Sequence, residues 1–192
     1  AASPNFSFTV AQTAPVSIMP RATENPGDGV SSATGVEDIM AIRSGRLALG
    51  NAHGSELLGL PIPMTIQHWT AGGFYATNTD DDCTMISASS IKLGPYTKNL
   101  AACESQLSPT GDMFFSGGEL PTPLRLSVPG AGNEGSVDLL VNVGAASGNT
   151  CLSATQSAAT AAGVPWLITN TARATFGVYK GANEFIYQRE NY

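Results

Sequence analysis

Charge is scarce in this sequence. Asp, Glu, Lys and Arg together make up 12% of its 192 residues, about half the share usual in globular proteins. Nine Lys and Arg face fifteen Asp and Glu, which leaves a formal net charge of −6. No run of basic residues occurs, so the positive stripe that a phosphate backbone requires is missing and a nucleic-acid partner is excluded. Long apolar runs are missing too: none reaches the roughly 18 residues of a membrane span. Cysteine numbers three and histidine two, with no CxxC pair, and that disfavours a zinc site. There is no GxSxG nucleophile elbow. There is also no signal peptide, and Ala1 follows no initiator Met, so the chain reads as processed or excised.

Helical periodicity is the last absence. The one candidate, Ser153 to Gly163, has good helix formers but no apolar stripe to pack, so it reads as a loop or a short turn of helix. Helix content is expected below about 10%.

What is present is strand. Hydrophobic residues reach 42%, enough for a real core, and 21 Gly and 12 Pro punctuate the chain without a period. "NFSFTVAQ" alternates Phe6, Phe8 and Val10 on one face, as a half-buried strand does. "PVSIMP" follows, then a polar loop from Arg21 to Asp38, then strand character from Ile39 to Leu49 broken at Ser44-Gly45. Pro61 and Pro63 sit two apart, which suits an edge strand or a strand start. "GGFYATN", "CTMISASSIKL" and "VPWLI" add strands, and Leu124–Val128 and Ser136–Val143 read as a pair joined by the Gly-rich turn "GAGNEG". The closing "ARATFGVYKGANEFIYQRENY" reads as two strands and a tight turn. Ten to twelve short strands with regular turn signals predict an all-β fold, an antiparallel β-sandwich of immunoglobulin-like or jelly-roll-like type with long loops. Residues 1–38 form an N-terminal strand segment and polar loop, and residues 39–192 the sandwich.

No catalytic constellation stands out. His53, in "NAHGSELL", reads as part of a turn, and His68 beside Trp69 as a sheet histidine. Asp80, Asp81 and Asp82 crowd one loop and are a weak calcium candidate. The loop lacks the Gly and Glu of an EF-hand, and a solvated turn is the plainer reading. Trp69, Phe74, Tyr75 and Trp166 are sugar-stacking candidates, Trp69 and Tyr75 foremost, although such residues more often fill a sandwich core. "GAGNEG" lacks the Lys and helix of a phosphate loop. Three cysteine pairings are open. A Cys83–Cys103 bridge closes a loop of about twenty residues, contributes about 3 kcal/mol through the unfolded state and leaves Cys151 over; three buried thiols are the alternative. No cofactor is expected.

Three stretches carry a family likeness. "GRLALGNAHGSELLGLPIPMTIQHWTAGGFYATNTDDDCT", "LRLSVPGAGNEGSVDLLVNV" and "PWL" followed by "ARATFGVYKGANEFIYQRENY" resemble, in the same order, the C-terminal region of MshQ-type proteins of MSHA pilus biogenesis in proteobacteria. The likeness runs from about Gly45 to Tyr192. It implies a large, secreted, multi-domain surface protein associated with type IV pili, and it transfers no catalytic residue. Relatives carry an acidic Asp-Gly-rich stretch where this chain has only "ITNT", so no metal loop transfers there either. The expected function is therefore that of a non-catalytic, extracellular, cell-surface domain of an exported bacterial protein, acting in adhesion or in filament and pilus assembly. A lectin-like module is the alternative, and a secreted hydrolase a more remote one. Expected partners are other surface or pilus proteins. Self-association through an edge strand is also open, because the Phe6, Phe8 and Val10 strand fits either its own core or a neighbour's sheet edge.

Overall fold

The computed structural model describes residues 14–19, 38–144, 148–165 and 167–177. The expected Phe6–Val10 strand, Trp166 and the second half of the expected terminal hairpin lie outside the described residues. In chain order the strands are Val16–Ile18 (β1), Met40–Ile42 (β2), Gly45–Leu49 (β3), Ala52–Gly54 (β4), Leu60–Ile62 (β5) and Met64–Trp69 (β6). Tyr75–Thr77 (β7), Met85–Ser87 (β8), Ile91–Tyr96 (β9), Leu107–Ser108 (β10), Asp112–Phe114 (β11) and Leu124–Leu126 (β12) follow. Gly135–Val141 (β13), Asn149–Thr150 (β14), Ser157–Ala158 (β15), Ile168–Thr169 (β16) and Ala172–Phe176 (β17) complete the set. Among the described residues the helical content is one 3-10 turn, Ala88–Ser90.

Alternation builds the core. Along β5 and β6, Leu60, Ile62, Met64 and Ile66 point inward and are buried, while Pro61 and Pro63 lie exposed between them. β5 is an edge strand, in the order β10-β12-β5, as its proline requires. Two four-stranded sheets, β4-β17-β13-β9 and β16-β3-β6-β7, supply most of the remaining core. Leu47 and Leu49 from one sheet and Val137, Leu139, Val141, Ala174 and Phe176 from the other join a single buried cluster with Leu124 and Leu126 of β12. The fold is an all-β sandwich.

The two large sheets share a corner. β3 and β16 run parallel in one sheet, and β4 and β17 run parallel in the other. Two chain segments about 120 residues apart therefore travel side by side and turn together from sheet to sheet. Asparagine side chains stand in for the ladder at the turn. Asn170 Nδ2 donates to the Leu49 carbonyl and Asn170 Oδ1 accepts the Leu49 amide, both at 2.8 Å. Asn51 Oδ1 accepts the amide of Arg173 at 2.8 Å. These parallel pairs qualify the antiparallel expectation, and β17, the first strand of the terminal hairpin, lies inside its sheet between β4 and β13.

Two expectations are corrected. The disulfide joins Cys103 to Cys151, and Cys83 is a free, exposed thiol. The Cys83–Cys103 pairing rested on loop shortness, but loop entropy grows only slowly with length. Closing 48 residues contributes about 4 kcal/mol against about 3 for twenty, so burial decides. Cys103 and Cys151 both sit in the core, and Cys83 does not. The hydroxyl of Tyr96 lies 3.4 Å from Cys151 Sγ. The second correction concerns β12 and β13, which do not form a hairpin. β12 pairs with β5 and β10, and β13 with β9 and β17. A continuing ladder would run into Pro129, which has no N–H, and Gly130, at φ +101°. The chain turns there instead, with the Gly130 amide donating to the Glu56 carbonyl at 3.1 Å.

Candidate functional site

The outer face of the β16-β3-β6-β7 sheet gathers the polar and aromatic residues that the inner face excludes. Arg46 lies opposite Gln67 on β6 and Ile168 on β16, and Trp69 lies opposite Tyr75 on β7. Arg46 Nε donates to Gln67 Oε1 at 2.7 Å, and its guanidinium carbon stands 3.8 Å from the centre of the Tyr75 ring. Trp69 meets Tyr75 edge to face, with centroids 4.9 Å apart. The two sugar-stacking candidates are thus packed against one another, half-buried, with Arg46 already on one Tyr75 face. The exposed ring nearby in sequence is Phe74.

The acidic loop follows β7, and each carboxylate has its own task. Asp80 pairs with Arg43, which also donates to Asn78 Oδ1 at 2.6 Å. Asp81 is buried; its Oδ1 accepts the amides of Cys83 and Thr84, and its Oδ2 accepts the Thr84 hydroxyl at 2.7 Å. Asp82 Oδ1 accepts the Gly117 amide and the Ser116 hydroxyl. The three carboxylates do not converge, and among the described residues no group of three or more His, Cys, Asp or Glu is placed to hold a metal. Their arrangement makes a staple. It ties loop 116–119 to β6, where the Ile66 amide donates to the Gly118 carbonyl at 2.8 Å. Gly118 is obligatory there: at φ +74° a Cβ would stand 2.7 Å from the Asn78 carbonyl oxygen.

The histidines stand apart. His53 is exposed on β4, opposite Thr175. Ser55 Oγ accepts the Leu57 amide at 3.2 Å. His68 lies in β6, and its Nδ1 is buried with no hydrogen-bond partner among the described residues. Perturbed acids occur elsewhere. Burial raises the Tyr96 phenol, opposed in part by hydrogen bonds from the Cys103 backbone and Gln156. The Asp138 carboxyl is lowered, first by its hydrogen bond with Arg173; Arg173 Nε and Nη2 reach its two oxygens at 2.7 and 3.0 Å.

One feature escaped the sequence reading. β8 and β11 form a ribbon in which Ile86 and Met113 face inward and are buried. Met85 and Phe114, directly opposite each other, face outward and are 40% and 65% exposed. The signal was present in "GDMFF", where Met113 and Phe115 alternate with Phe114.

A family model described as DUF6701, fourth domain, matches residues 43–191. The chain belongs to this family. Among solved structures, this DUF6701 fourth domain is similar to the seventh ScaB type I cohesin from Pseudobacteroides cellulosolvens, at 11% identity and a TM-score of 0.26, over 74% of this chain and 98% of that one. No curated protein matches the DUF6701 domain's sequence. Among its described residues no helix is long and apolar enough to cross a membrane.

Proposed function

We propose that this DUF6701 fourth domain is a non-catalytic module of an exported bacterial surface protein of the MshQ type, working by protein–protein contact in adhesion or pilus assembly. The observation that carries the reading is the β8–β11 ribbon. Met85 and Phe114 form an apolar cross-strand pair in open solvent, 40% and 65% exposed. Two large apolar side chains held in register by a buried underside make a rigid anchor of the sort that docks into another protein's pocket. Three further features support it. A buried disulfide suits an oxidising, extracytoplasmic compartment. The likeness to MshQ-type proteins runs through three long stretches in order. The carboxylates of the acidic loop are held by Arg43 and by loop donors, and Trp69 and Tyr75 make an edge-to-face pair under Arg46, not a flat sugar platform.

The test is capture from intact cell surfaces of the producing bacterium by the immobilised domain and by its Phe114→Ser variant, alongside adhesion and pilus display in cells carrying the same substitution. Capture and display lost with Phe114→Ser at unchanged melting temperature support the reading. Glycan-array binding lost with Trp69→Ala points instead to the lectin-like alternative. Turnover of ester, peptide or glycoside substrates abolished by His53→Ala overturns the non-catalytic reading.

A further inference from the structure

Among the described residues, the ribbon of β1 and β2 has no core beneath it. Val16, Ser17 and Ile18 pair with Ile42, Ala41 and Met40. None of these residues enters the buried cluster, and Val16, Met40 and the flanking Met19 and Ile39 are exposed. An isolated two-stranded ribbon is marginal in water and needs a third strand or a packed face. This one is apolar at nearly every position, on both faces.

Its place in the chain says what covers it. The ribbon ends at Ile42, and the family match begins at residue 43 with a unit described as a fourth domain. The ribbon therefore lies immediately upstream of the matched residues, on the side where a domain numbered before the fourth would join. Its root is fixed: only Arg43 and Ser44 separate β2 from β3, and Arg43 is held by Asn78 and Asp80. We infer that the ribbon is an interdomain joint, covered by the apolar surface and open strand edge of the domain that precedes it in the same polypeptide. A second copy fits less well. Stable association of free chains buries about 1,200 Å² or more, beyond the reach of two three-residue strands, whereas a tethered neighbour supplies an effective concentration near millimolar.

The test is hydrogen exchange, read by mass spectrometry, on the 192-residue chain and on the polypeptide extended upstream through the preceding domain. In the shorter chain at micromolar concentration, the amides of residues 16–18 and 40–42 are expected to exchange within about 10-fold of an unstructured peptide, and in the longer one about 100-fold more slowly. Met40→Asp in the longer polypeptide is expected to restore fast exchange in the ribbon and leave the amides of β13 and β17 unchanged. Three results overturn the joint. Slow exchange in the dilute shorter chain means that its own residues cover the ribbon. Slowing only on concentration means a second copy does so. Fast exchange in both chains means that nothing does.

Discussion

Asn170 offers the sharpest test of how the two sheets are joined. Its carboxamide pairs with both backbone groups of one residue, the N–H and C=O of buried Leu49, through two 2.8 Å hydrogen bonds. Asn170→Ala removes both. A buried backbone group left unpaired costs about 1–3 kcal/mol. Asn170 is itself exposed, so water reaches the site and the lower end applies, for a total of about 2–3 kcal/mol. For a domain of this size that lowers the melting temperature by about 4–12 °C. Asn170→Asp is more discriminating. The carboxylate still accepts the Leu49 amide, but its second oxygen meets the Leu49 carbonyl, where a donor is needed. The folded state then favours the protonated acid, which donates to that carbonyl, so the folded pKa rises above the unfolded value of about 3.9. A raised folded pKa makes the folded state hold its proton longer, so stability falls as pH rises through this window. Thermal melts at pH 7.5 and pH 4.5 are the assay. Asn170→Asp is expected to match Asn170→Ala in loss at pH 7.5 and to recover part of that loss, relative to wild type, at pH 4.5. A shift under about 1 °C for Asn170→Ala, or the same deficit for Asn170→Asp at both pH values, would refute the reasoning.

Other outcomes follow from the same structure. Iodoacetamide applied to the native, unreduced protein is expected to label Cys83 alone, and non-reducing peptide mapping to recover a Cys103–Cys151 cross-link; a Cys83-containing cross-link contradicts this. Replacing Cys103 and Cys151 together by Ala is expected to cost about 4 kcal/mol, visible as a lower urea midpoint. Asp81→Ala leaves two amides and a hydroxyl without their acceptor and is expected to cost about 2–3 kcal/mol, while millimolar calcium leaves the wild-type melting temperature unmoved. The lowered Asp138 pKa contributes stability that is present above its unfolded value and is lost as pH falls below about 4. The pair is partly exposed, so the loss removed by Arg173→Ala is expected near 1 kcal/mol or less.

Much of the fold was legible because the buried faces alternate. Leu60, Ile62, Met64 and Ile66 between exposed prolines announce strands and even the edge position of β5. Strand pairing was less legible. Nothing local tells Leu124–Leu126 to leave Gly135–Val141 and join β5, because each strand presents the same kind of alternating face and the choice is made by the whole core. The disulfide was misjudged for a related reason: spacing measures loop length, whereas pairing follows burial, and Cys151 enters the core just after a two-residue strand that carries no periodic signal. Of the candidate site, Trp69 and Tyr75 were identified, but their partner Arg46 comes from β3 and is visible only through register. Asn170 was hidden in "ITNT", a stretch that reads as mere linker until Leu49 is seen beside it.

The internal place of β17 sets when its sheet can close. Its neighbours are β4, at residues 52–54, and β13. A chain synthesised from its N-terminus presents β4 and β13 first, and each must wait with a bare edge until residues 172–176 arrive to fill the slot between them. Closure of this sheet therefore waits on residues 172–176, and a protease cut upstream of Ala172 leaves β4 without a ladder partner and β13 with one bare edge. The period before closure is when a holdase chaperone, or a misdirected strand from a neighbouring chain, has its opportunity.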